Sequence, residues 1–285
     1  MNPMERRDDF ALQVCGASKQ FNSRRRPPVL ALADVTINVR RGEFISLLGT
    51  SGCGKSTVFN MVAGLITPTT GRILINGQDV TGQAGHVGYM LQKDLLLPWR
   101  TILKNVTLGA QLLGRDVKAA EKEARRLFRR FGLEGFEDAW PSNLSGGMRQ
   151  RAAVMRTLLS GREILLLDEP FGALDAMTRA DMQSWLLDIW QEFQSTVVFV
   201  THDIDEAIYL SDRVVVMGRR PGTVQMEVEV DLPRPRVGDD IATAERRASI
   251  RHQIMSAIHS EERGASSPIG VENVAATAHG PDRSQ

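Results

Sequence analysis

The most constraining feature of this sequence is the run Gly49-Thr50-Ser51-Gly52-Cys53-Gly54-Lys55-Ser56-Thr57. It fits the pattern G-x-x-x-x-G-K-[ST]. The apolar run "EFISLL" leads into it, and Val58, Met61, Val62 and Leu65 follow at helical spacing. A strand that stops in a glycine-rich turn and restarts as a helix aims several backbone N–H groups at one point, where phosphate oxygens can sit. The glycines let the backbone bend. Lys55 is then placed for the β- and γ-phosphates of a nucleotide, and the Ser56 hydroxyl for Mg²⁺. Cys53 reads as a small loop residue, not as a nucleophile.

The rest of the chain supplies the sheet that such a loop needs. Residues 11–48 are β-rich, and "LADVTINV" alternates apolar and polar positions as a half-buried strand does. "GRILINGQDV" reads as a strand and turn, "HVGYMLQ" as another strand. From Asp94 to about Leu159 the texture turns helical and amphipathic, as in "ILKNVTLGAQLL" and "VKAAEKEARRLFRRFGL". "REILLLDEP", "TVVFVTHD" and "RVVVMG" are short apolar strands of the buried parallel kind, separated by the helix "MTRADMQSWLLDIWQEF". Alternating strands and helices predict an α/β fold with a parallel sheet. After "DLPRPR" the pattern weakens: a helical extension is expected over 236–262 and a small, polar, disordered tail over 263–285.

Three elements carry further polar residues to the ends of apolar runs. Asp168 and Glu169 close "ILLLDEP"; Asp168 suits a Mg²⁺ ligand, and Glu169 the base that polarises an attacking water. Gln92 ends "VGYMLQ", where it can ligate Mg²⁺ or water, and His202 follows "VVFVT". All point to one crevice beyond the carboxyl ends of the strands. A second anion cradle stands apart from these. "NLSGGMRQRAAVMRTLL" opens a helix on a glycine pair, with free N–H groups and a positive dipole end.

Composition removes several alternatives. A formal net charge of +1 argues against a dedicated nucleic-acid binder. The two cysteines, Cys15 and Cys53, have no metal spacing and fit a reducing cytoplasm. No apolar run approaches the roughly 18 residues of a membrane span, and no secretory signal is legible.

"GTSGCGKST", Gln92, "LSGGMRQR", "LLLDEP", "GALD" and "THD" stand in the order found in ABC ATPases, and the resemblance covers about residues 11–235. It implies a P-loop NTPase (RecA-like) core with an N-terminal antiparallel β subdomain and a helical signature subdomain at about 94–159. It implies roles residue by residue. Gly49, Thr50, Ser51, Gly52, Cys53, Gly54, Lys55, Ser56 and Thr57 form the loop on ATP, Asp168 the Mg²⁺ ligand, and Glu169 the catalytic glutamate. Gln92 is the switch glutamine, Asp175 the aspartate of "GALD", and His202 the histidine on the γ-phosphate. Phe21 lies where the family stacks an aromatic on adenine, an interaction of about 1–3 kcal/mol. The second cradle then has its reason: Ser145, Gly146 and Gly147 face the ATP held by another copy, in a head-to-tail dimer around two nucleotides. Thr50 and Met148 depart from the commoner family residues, proline and glutamine, without removing a phosphate ligand or the base.

"LLPWRT", "THDIDEAIYLSDRVVVM", "RPG" at 220–222 and "DLPRPR" resemble importers of nitrate, sulfonate, taurine and related solutes. The resemblance implies a peripheral subunit on the cytoplasmic face of the cell membrane. Its partners are a second ATPase subunit, a membrane permease and, indirectly, a solute-binding protein; nucleic acid is not among them. The stretch with Leu97, Pro98 and Trp99 is the expected permease-facing surface. "RRLFRR" reads as a solvated helix face, and "RRR" at 24–26 is open between a lipid contact and plain solvation. A soluble ABC ATPase acting on ribosomes or DNA would bring tandem cassettes or a coiled coil, and a GTPase would bring Asn-Lys-x-Asp. The sequence has none of these.

Overall fold

The computed structural model describes residues 10–23, 27–172, 174–234, 236 and 241–264. The arginines at 24–26 and the tail beyond 264 therefore lie outside the described residues. Two sheets form the body. Strands β1 (Phe10–Phe21), β2 (Val29–Arg40), β4 (Thr70–Ile75) and β5 (Gln78–Asp79) make an antiparallel sheet in the order β2-β1-β4-β5. Strands β3 (Phe44–Leu48), β6 (Gly88–Met90), β7 (Ile164–Asp168), β8 (Thr196–Thr201), β9 (Arg213–Met217) and β10 (Val224–Glu229) make the second, in the order β10-β9-β3-β8-β7-β6.

All neighbours in that second sheet run parallel except the edge pair β10 and β9. Strands β3, β7, β8 and β9 are buried along their whole length, which is why each reads as an unbroken apolar run. The register sets Leu48 opposite Thr201 and Val216, Asp168 opposite Val200, and Met90 opposite Leu167. The carboxyl ends of β3, β6, β7 and β8 therefore finish level, on one edge.

The faces of the sheets are covered by helices. Helix α1 (Lys55–Val62) lies in the core shared with the antiparallel sheet, where Phe59, Met61, Leu12 and Ile73 pack together. A second core holds α2 (Ile102–Val106), α4 (Val117–Phe128), α5 (Gly146–Leu158) and α6 (Ala176–Phe193) around Phe128, Phe131, Phe171 and Phe199. Between α2 and α4 lies the short α3 (Leu108–Leu112). The stretch expected as one helix from Ile102 is thus divided at Thr107, whose hydroxyl donates to the Leu103 carbonyl.

Helix α7 (Ile204–Leu210) and helix α8 (Ile241–Gly264) close the third core through Ile208, Ile250 and Ile254. Arg234 and Arg236 strap this end. Arg236 is buried and donates to the Ile208 and Tyr209 carbonyls, and Arg234 donates to Asp212 and the Leu210 carbonyl while lying over the Trp190 ring. Carbonyls left over at the end of a short helix need such donors. No helix among the described residues is long and apolar enough to cross a membrane.

Candidate active site

The level strand ends bring four expected residues into one place. Glu169 follows β7 with φ 43°, a left-handed conformation that a non-glycine residue adopts at a cost of about 1–3 kcal/mol. Its N–H donates to the Val200 carbonyl of the neighbouring strand (3.0 Å), which holds the turn. Its carboxylate accepts from Gln92 Nε2 at 3.1 Å and lies 3.4 Å from His202 Nδ1. Two side chains, from the ends of β6 and β8, thus converge on a carboxylate at the end of β7 that is still 22% exposed.

Asp168 is buried one residue earlier. Burial and the charge of Glu169 push its carboxyl above the usual range, while Lys55 and the Tyr89 and Ser56 hydroxyls pull it back down. The same crowding, burial first and Asp168 second, raises the Tyr89 phenol. Tyr89 was not singled out from the sequence, where it is one aromatic in a short strand.

The glycine-rich loop opens α1 as expected. Gly54 is the helix N-cap at φ 113° with no side-chain cap, so the first-turn N–H groups keep no side-chain acceptor. Lys55 is buried and donates through Nζ to the Gly49 and Thr50 carbonyls at 2.6 and 3.2 Å. Cys53 is buried under the loop. Ser51, Gly52 and Ser56 are exposed, with Thr57 half-buried behind them. Gly222 was not recognised as part of this wall. It bridges to Leu32, and a Cβ there would come within 2.0 Å of the Cys53 carbonyl oxygen. The glycine of "RPG" is required because the loop passes directly over it. Phe21, at the end of β1, is 44% exposed, with Lys19 Nζ 5.4 Å from its ring centre.

The second cradle is built differently. Ser145 caps α5 by accepting from the Met148 N–H at 3.3 Å, and it is exposed. A Cβ on Gly146 would meet nothing nearer than Arg149 Nη2 at 4.0 Å, and one on Gly147 would touch the Thr178 methyl at 3.3 Å. Asp175 has a task within the chain: it caps α6 by accepting from the Thr178 N–H at 3.0 Å.

Polar side chains tie α5 to the other elements, among them Arg156, which donates to the Asp94 and Leu95 carbonyls. Gln150 is buried and donates to the Pro170 carbonyl, next to Glu169. Arg149 donates to the Leu144 carbonyl at 2.7 Å and to Asp94 at 3.2 Å, so it spans from the Ser145 turn to the segment after Gln92. That segment carries exposed Leu95, Pro98 and Trp99, the last 70% exposed; Leu97 is half-buried. Buried Asn105 shapes it by donating to the Leu97, Arg100 and Thr101 carbonyls.

Among the described residues no group of three or more His, Cys, Asp and Glu side chains is set to hold a metal ion. One desolvated carboxylate beside one hydroxyl fits Mg²⁺, which takes most of its ligands from phosphate and water.

Residues 32–172 match the family model for the ABC transporter. An uncharacterized ABC transporter ATP-binding protein of Methanocaldococcus jannaschii is 48% identical over 81% of this chain and 85% of its own length. The aliphatic sulfonates import ATP-binding protein SsuB of Bacillus cereus is 41% identical over 86% of this chain and 95% of its own. The nitrate import ATP-binding protein NrtD of Synechocystis is 41% identical over 80% and 85%. A dimeric ATP-binding cassette solved in a post-hydrolysis state with ADP and Pi superposes with a TM-score of 0.65 at 30% identity, covering 77% of this chain and 98% of that one. A glycine-rich loop, an Asp-Glu strand end and a glycine-opened signature helix on this fold, together with these relatives, lead to one conclusion: the chain belongs to the ABC transporter family and is an ABC-type ATPase.

Proposed function

We propose that this chain is the ATP-hydrolysing subunit of an importer. Two copies close around two ATP molecules, and the cycle drives uptake of a small nitrate-, sulfonate- or taurine-like solute through a membrane permease. The observation that carries the hydrolytic part is the Glu169 carboxylate held between Gln92 and His202 at a level sheet edge.

In this reading Glu169 takes a proton from water as its oxygen bonds to the γ-phosphorus. The bond from that phosphorus to the bridging oxygen breaks, and ADP leaves. Lys55 exchanges its loop carbonyls for the β- and γ-phosphates, and His202 donates to a γ-phosphate oxygen. Gln92 reports whether the γ-phosphate is present. Asp168, Ser56 and Gln92 would hold Mg²⁺, which would neutralise charge on the phosphates. Phe21 stacks on adenine.

Ser145, Gly146 and Gly147 grip the nucleotide of the second copy, with Asp175 beside them. The support is that, among the described residues, a Cβ on Gly146 would meet nothing nearer than Arg149 Nη2 at 4.0 Å. Moving a dimer from about 1:99 to 99:1 closed needs roughly 5.5 kcal/mol. Hydrogen bonds to charged groups contribute about 1.5–3 kcal/mol each, so a few at two sites suffice. Loss of the γ-phosphate removes them, and the dimer opens.

The solute class rests on the sulfonate- and nitrate-import relatives. The exposed Leu95 and Trp99 face supports docking of the permease, with the chain peripheral on the cytoplasmic side and a solute-binding protein outside. The test is gel filtration with ATP. E169Q is expected to accumulate as a dimer while its hydrolysis falls about 10²–10⁴-fold. Adding Ser145→Arg should return it to monomer, and a double variant that still dimerises would sink the trans grip.

A further inference from the structure

A buried carboxylate with no part in the mechanism above lies just beyond His202. Glu206 is 7% exposed, on the first turn of α7. Its two oxygens are separately engaged. Oε2 accepts from the Thr201 hydroxyl, and Oε1 accepts from Gln183 Nε2 at 2.9 Å. The Thr201 hydroxyl is itself an acceptor for the Asp203 N–H at 3.0 Å. A hydroxyl has one proton, so the two bonds fix each other: while Thr201 donates to Glu206, its lone pair stays turned to Asp203.

Thr201 and Asp203 are the residues on either side of His202. The conformation of the histidine turn is therefore set from beneath by Glu206. Gln183 carries the same constraint into α6. One turn earlier on that helix, Arg179 donates to the Leu174 carbonyl at 3.0 Å, beside the Asp175 cap.

We propose that Glu206 is a positioning residue for hydrolysis: through Thr201 it holds His202 in reach of the γ-phosphate, and through Gln183 it locks the histidine turn to helix α6. The inference rests on the reading of His202 given above. Burial drives the Glu206 carboxyl above its ordinary range and the Thr201 and Gln183 donors draw it back; Asp203 adds to the rise and Arg179 opposes it. A carboxylate kept in such a place needs both donors, since a buried polar group left unpaired is costly.

The test is steady-state ATP hydrolysis by the purified full chain. E206M is expected to lower kcat about 10- to 100-fold, the scale of a misplaced group, with KM for ATP within about twofold. E206Q should recover most of the rate. Its amide oxygen takes the Thr201 proton, and a flipped Gln183 amide accepts from its nitrogen. In an H202A background E206M should cost little more, because both changes remove the same contact. If E206M multiplies the H202A loss, Glu206 does not act through the histidine and the inference is overturned. If H202A alone hydrolyses ATP at the full rate, the active-site reading falls and takes this inference with it. Should E206M not fold, T201V takes its place, with T201S as the recovering variant; T201V at the full rate overturns the proposal.

Discussion

The turns before α1 and α5 both present a helix N-terminus suited to an anion, and they differ in what holds them. The first is packed by its own chain. A Cβ on Gly54 would come within 2.4 Å of Leu32 Cδ2, one on Gly49 within 2.8 Å of Cys53 Sγ, and Lys55 is bonded to two loop carbonyls. The second faces outward. Ser145 caps its own helix by accepting, which leaves its hydroxyl proton to donate elsewhere, and among the described residues no close contact demands a glycine at 146. A site that a chain completes alone is over-determined by its packing. One that waits for another molecule shows as residues whose identity the packing does not explain.

Four measurements would break or sharpen that contrast. The largest effect belongs to the packed turn: K55A should cut hydrolysis about 10³-fold, since a preorganised cation on the phosphates is lost. A surviving rate would remove the first turn from the chemistry. Next comes S145A, which should leave ATP binding by the monomer unchanged. Its two copies per dimer each lose a bond of about 1.5–3 kcal/mol, so ATP-driven dimerisation of E169Q should weaken about 100-fold or more in sedimentation. If monomer binding weakens instead, both turns serve one site.

F21A should act in the opposite sense. It weakens ATP binding by the monomer by about 1–3 kcal/mol, with dimerisation at saturating ATP retained. The smallest effect is thermal. Without nucleotide, G146A should raise stability by up to about 1 kcal/mol, the helix preference of alanine over glycine. G54A should lower it by about 1–3 kcal/mol because φ there is 113°. Equal shifts in calorimetry would erase the distinction between the turns.

Much of the packed half was legible before the fold was known. Buried parallel strands read as unbroken apolar runs, and polar residues at their ends fall on one edge by the topology alone. The edge strand β10 was not legible. Its face alternates with exposed Gln225, Glu227 and Glu229, and a single edge strand with one wet face carries little apolar signal. Nor was the division at Thr107, because the apolar spacing runs across it and only the hydroxyl bond to Leu103 marks the place. Gly222, Gln150 and Glu206 share another reason. Each acts through a contact with a residue distant in sequence or one turn away, and nothing local distinguishes them. The open half was legible as a second anion cradle from its glycine pair, but the role proposed for it, on the nucleotide of another copy, came only with the resemblance, since such a surface leaves no trace in the periodicity of one chain.

The register of the parallel sheet has a mechanical corollary. Glu169 and His202 sit directly on the ends of wholly buried strands, and sliding any one of them would strip its ladder and turn its side chains to the wrong face. This floor behaves as an anvil. In the proposed cycle any stroke is then left to the pieces packed against it, and Arg149 and Arg156, which tie α5 to Asp94 and Leu95, are where that hammer is fastened to its handle.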